Sequence, residues 1–123
     1  MANRHRGEIS AVLDGCERTL VLTLGALAEL EAAFGAEDLV ALAGRFEGGK
    51  LSAGDIAKII GCGLRGAGAE VSDAEVAAMR AGGGAAGFVT IVAELIRATF
   101  GGEGGEEREG ENPPPASRSP GSL

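Results

Sequence analysis

Apolar and polar positions alternate with period two through residues 8–23, on either side of an Asp14-Gly15 pair. With that pair as a two-residue type I′ turn, Ile9, Ala11, Leu13, Cys16, Arg18, Leu20 and Leu22 share one face. Glu8, Ser10, Val12, Glu17, Thr19, Val21 and Thr23 share the other. A lone hairpin is marginal in water, so this one packs its apolar face on the helices C-terminal to it or pairs its free edge with another chain.

From residue 24 the period lengthens to that of a helix. Thr23 is an N-cap, Leu24, Leu27, Leu30 and Phe34 form a stripe, and Gly35 supplies the stop. Asp38 opens a second helix with Leu39, Leu42 and Phe46 inside, closed by Gly48 and Gly49; Ser52 caps a third with Ile56, Ile59, Ile60 and Leu64. Ser72 and Glu75 form a capping box, which predicts a fourth helix over roughly residues 73–81 with Val76 and Met79 facing in. Past the break at residues 82–84, Phe88, Ile91, Val92, Leu95, Ile96 and Phe100 give a last helix whose apolar face is wider than one core contact needs. The predicted fold is α+β and helix-dominant: an N-terminal β-hairpin, then about five short helices. The predicted division is a flexible N-terminus (1–6), a single domain (7–100) and a disordered Gly/Glu/Pro-rich tail (101–123), since the last segment holds all four prolines and one large apolar residue, Leu123.

Composition narrows the function. Eighteen acidic against eleven basic residues give a net charge of −7, which lacks the phosphate-neutralising surface of a nucleic-acid binder. No apolar run approaches the ~20 residues of a membrane span, and "MANRHRGEIS" has no signal-peptide apolar region. Two cysteines, Cys16 and Cys62, and one histidine, His5, fall short of a four-ligand zinc site. Cys62 reads as a small buried hydrophobe and Cys16 as exposed near the turn.

Nothing in the sequence assembles a catalytic constellation. "GCGLRG", residues 61–66, matches G-x-G-x-x-G literally, but it sits late in a helix rather than after a strand, so helix termination explains it better than a dinucleotide. The carboxylate pairs Glu29/Glu31, Glu37/Asp38 and Asp73/Glu75 fall on helix starts or polar faces and read as solvated. The expectation is no enzyme, no cofactor and no metal. Two binding features survive: the hairpin edge and the helix from Phe88 to Phe100.

The blocks "LVLTLGALAELEAAFG", "LSAGDIAKIIGCGLRGAG" and "VSDAEVAAMR", in that order, resemble the small tail proteins of gene transfer agents and siphophages, a family described as tail assembly chaperones and also as tail tube proteins. The resemblance spans about residues 5–100. It implies a non-enzymatic chaperone of tail morphogenesis that binds the tape-measure protein and recruits tail-tube subunits in the cytoplasm of the producing bacterium. The alternative it leaves open is a structural component of the particle's tail tube. Tail-tube subunits are built on a β-sandwich, whereas this sequence offers one hairpin. Within that frame the partner-binding residues expected are Phe88, Ile91, Val92, Leu95 and Phe100, with the hairpin edge second, and the protein is expected to be monomeric or to self-associate weakly.

Overall fold

A computed structural model describes Asn3 and residues 6–101; the expectations for His5, for the first residues and for the tail beyond Gly101 lie outside the described residues. Asp14 and Gly15 both take positive φ, 55° and 78°, the mirror-image turn whose twist matches that of paired strands. Strand β1 (Glu8–Leu13) and strand β2 (Cys16–Val21) therefore pair antiparallel, in register from Leu13 opposite Cys16 to Glu8 opposite Val21. Among the described residues this two-stranded sheet is followed by five helices: α1 (Leu24–Phe34), α2 (Leu39–Glu47), α3 (Ala53–Gly66), α4 (Asp73–Ala77) and α5 (Ala85–Phe100). The α+β, helix-dominant class predicted from periodicity is the one observed.

Local chemistry sets the helix boundaries. Thr23 Oγ1 accepts from the Ala26 N–H at 3.1 Å and Asp38 Oδ1 from the Ala41 N–H at 2.8 Å. Ser52 with Asp55, and Ser72 with Glu75, each form a reciprocal box that satisfies two helix-start donors. Gly35 closes α1 in the left-handed conformation, φ 68°.

Two boundaries differ from expectation. Helix α4 stops at Ala77 rather than near residue 81, because the sheet captures the following chain. Ala81 bridges Leu13, the Asp14 N–H donates to the Arg80 carbonyl at 2.8 Å, and the Asp14 carboxylate accepts the Arg80 N–H at 2.9 Å. Helix α5 begins at Ala85, three residues before Phe88, so the two alanines after the glycine run are already helical.

The inner face of the sheet carries Ile9, Ala11, Leu13 and Leu20 into one core with α1, α3 and α5. Arg18 is the polar exception on that face; its Nε is buried with no hydrogen-bond partner among the described residues. Helix α3 is the centre of the packing, with Ile59, Ile60, Cys62 and Leu64 fully buried.

The G-x-G-x-x-G spacing lies inside α3 and serves close packing; it does not end the helix, which runs to Gly66. A Cβ at Gly61 would collide with the Asp73 carboxylate, and one at Gly63 would come within 2.8 Å of Leu95 and 3.2 Å of Leu20. One at Gly66 would collide with the Val21 carbonyl oxygen, a backbone atom that a rotamer change cannot clear. Gly44, inside α2, has nothing within 4 Å of its missing Cβ. Gly66→Ala is expected to lower stability by about 2 kcal/mol through overpacking, although alanine is the better helix former by about 1 kcal/mol. Gly44→Ala is expected to raise stability by up to that ~1 kcal/mol, and urea unfolding of the two variants checks the opposite signs.

Candidate functional site

The residues expected to bind a partner divide by position on α5. Ile91, Val92 and Leu95 are buried in the core, Leu95 completely, whereas Phe88 and Phe100 are half-buried at the two ends of the helix. The wide apolar face thus serves centrality first. Its margins, Phe88, Ile96 and Phe100, reach the surface.

Those margins border two depressions, the first apolar and the second rimmed also by Glu47 and Arg97. One, of about 270 Å³, lies where α3, α4 and α5 meet and is lined by Ile56, Ala57, Val76, Ala77, Phe88 and Val89. The other, of about 400 Å³, lies between α2 and the end of α5 and is lined by residues that include Ala43, Phe46, Ala93, Ile96 and Phe100. Phe46 sits at its base, edge-on to Phe34 at 5.6 Å and tilted against Phe100 at 6.1 Å.

Along the outward side of α5, Ala85 and Val89 line the first depression and Ala93 the second, with Val89 53% exposed and no charged residue before Glu94. This side was missed in the helical stripe because it lies opposite the core positions. The signal for it is the absence of charge over thirteen residues, 81–93, in a chain that is 24% charged as a whole.

A second cluster joins α1, α3 and the start of α4. Lys58 Nζ reaches Glu29 at 3.2 Å and Asp73 at 2.9 Å; Arg65 reaches Glu29 at 2.8 Å and, through its other nitrogen, Asp73 at 2.9 Å and the Val71 carbonyl at 3.0 Å. The expectation that Glu29 and Asp73 are simply solvated is corrected here, since each carboxylate is held by two cations. Partial burial raises both carboxyl pKa values, but the Lys58 hydrogen bond and the charges of Arg65 and Lys58 outweigh it, leaving both below their ordinary values. Carboxylates held ionised in this way do not act as general acids near neutrality.

Behind the cluster, burial first and the Glu29 charge second push the Cys62 thiol up to about 11, which keeps it protonated and unreactive at neutral pH. Cys16 is exposed. Among the described residues no group of three His, Cys, Asp or Glu side chains could hold a metal ion, and no helix is long and apolar enough to cross a membrane.

A family model described as "Phage tail tube protein, GTA-gp10" matches residues 6–102, which takes in both strands and all five helices. No curated protein matches the chain, and no solved structure does.

The charged cluster carries a pH dependence of definite sign. Carboxyl groups whose folded pKa lies below the ordinary 4.5 of Glu29 and 3.8 of Asp73 stabilise the fold above those values, and the contribution is lost as pH falls through the folded ones. Because Glu29 and Asp73 keep 42% and 36% of their side-chain exposure, the contribution is small. Asp73→Asn is expected to cost about 1 kcal/mol at pH 7, with the gap to the parent narrowing at pH 3. Urea midpoints at the two pH values measure it.

Proposed function

The chain belongs to the family described as phage tail tube protein, GTA-gp10, and from that premise we propose that it is a non-enzymatic structural subunit of the tail of a phage-like gene transfer particle. The observation that carries this reading is the extent of the match, residues 6–102, which leaves no second domain among the described residues to hold another activity. Its partners in this role are other tail subunits, including further copies of itself. The outward side of α5, charge-free from Ala85 to Ala93, with Phe88 and Val89 at one depression and Phe100 at the other, is the surface offered to them.

A second reading has its own support. Among the described residues the sheet has two strands, whereas a subunit lining a tube through a β-sandwich needs several long ones. A helix-dominant domain with an apolar helix margin suits a chaperone that holds the helical tape-measure protein and brings tube subunits to it in the producing cell.

Mass spectrometry of purified particles beside the producer lysate separates the two. Many copies per particle are expected for a tail subunit; presence in the lysate with absence from particles would transfer the assignment to the chaperone.

A variant at the surface tests the site under either reading. Leu95→Asp is unsuitable, because a charge at a fully buried position unfolds the domain. Val89→Asp, at a position 53% exposed, is expected to shift stability by no more than about 0.5 kcal/mol while reducing assembled tails severalfold. Circular dichroism and particle counts read the two effects separately.

A further inference from the structure

The depression between α2 and the end of α5 is walled by two charges that the fold leaves unused. Glu47 stands on the α2 wall and Arg97 on the α5 wall; both are exposed, and among the described residues neither has an ion-pair partner. The other cation of α2 is already committed, since the Arg45 guanidinium lies over the Phe34 ring at 5.3 Å and reaches the Asp55 carboxylate at 4.0 Å. Glu47 and Arg97 thus border the same space of about 400 Å³ without meeting across it.

The two walls also carry matching rows of side chains. On α2, Val40, Ala43 and Glu47 share a row at i, i+3 and i+7; on α5, Val89, Ala93 and Arg97 share one at i, i+4 and i+8. Each row runs from an exposed valine through an alanine to a charge, over roughly 11 Å of helix. Val40 is 82% exposed and Val89 53%, so the fold itself covers neither.

We propose that a second copy of this chain occupies the depression, related to the first by a twofold axis running along it. Such an axis lays α5 of each copy over α2 of the other, and Arg97 of each copy pairs with Glu47 of the other. The dimer presupposes that the outward side of α5 is the surface offered to other subunits, and it adds α2 to that surface.

Charge selects this occupant. A uniformly basic partner, the kind that a chain of net charge −7 attracts at long range, would satisfy Glu47 and repel Arg97. A uniformly acidic one would do the reverse. A twofold makes the two walls each other's complement, because whatever one copy offers on α2 the other meets with α5, so a single pair of opposite charges is used twice.

Sedimentation velocity of the full chain at increasing concentration tests the dimer, with a reductant present so that the exposed Cys16 does not cross-link copies. The parent is expected to pass from monomer to dimer as concentration rises, since a contact of this length lies at the weak end of interfaces. Arg97→Glu and Glu47→Arg, both at exposed positions, are each expected to weaken the dimer by about tenfold or more, because the twofold turns one reversal into two like-charge contacts. Combining the two reversals should restore the parent's association. A parent that stays monomeric up to about millimolar concentration would overturn the dimer. So would a dimer unchanged by either single reversal, or one that the double reversal fails to restore. Particle counts keep this outcome apart from the role of the α5 surface. A monomeric parent whose Val89→Asp variant still makes fewer tails would overturn the second copy alone and leave that surface to a different tail subunit.

Discussion

The two-stranded sheet has one face to bury and, among the described residues, no further strand to steady it, so the whole arrangement depends on how closely α3 can approach that face. The approach is allowed by missing atoms. Gly63 admits Leu20 and Leu95, and Gly66 lets the helix end lie against the Val21 carbonyl. With β2 seated on α3, the fully buried Ile59, Ile60 and Leu64 become the floor on which α1 and α5 rest. Interiors packed at this density leave little room for an added methyl group, so glycines that suggest a phosphate-binding loop in the sequence are here packing positions.

Electrostatics then fix what packing leaves loose. Helix α4 is a five-residue turn with one buried side chain, Val76, and its start is held to α3 by the Lys58 and Arg65 pairs with Asp73. Gly61 belongs to the same device, since a side chain there would displace the Asp73 carboxylate. Glu29 extends the cluster to α1, so four partly exposed charges connect three helices. Individually such pairs contribute little; their value is in fixing how short elements lie on one another.

The same economy shapes the surface. Helix α5 is spent mostly on the core, and its remaining apolar margin opens into two depressions, one of them lined by Val89. Among the described residues, the β1 edge of the sheet has its amides occupied at Glu8 and Asp14 and open at Ser10 and Val12. For a protein of the phage tail tube protein, GTA-gp10 family, these two features are the places where folding leaves capacity for contact with another segment.

The sequence by itself determined everything that depends on neighbours in the chain. The Asp14-Gly15 turn, the caps at Thr23, Asp38, Ser52 and Ser72, the stop at Gly35 and the fold class were all legible, because turn geometry and capping are satisfied within a few residues. The candidate site was legible only in part. Phe88 and Phe100 reach the surface, but which flank of α5 the core would consume depended on where α3 and β1 came to lie. Tertiary structure alone decided that Ala81 would join the sheet and cut α4 short, that Glu29 and Asp73 would share two cations from α3, and that the three glycines would pack instead of bind. Each of these joins residues eight to sixty-eight positions apart, from Arg65 with Asp73 to Leu13 with Ala81. Contacts set by the docking of whole elements leave no periodic mark in the chain.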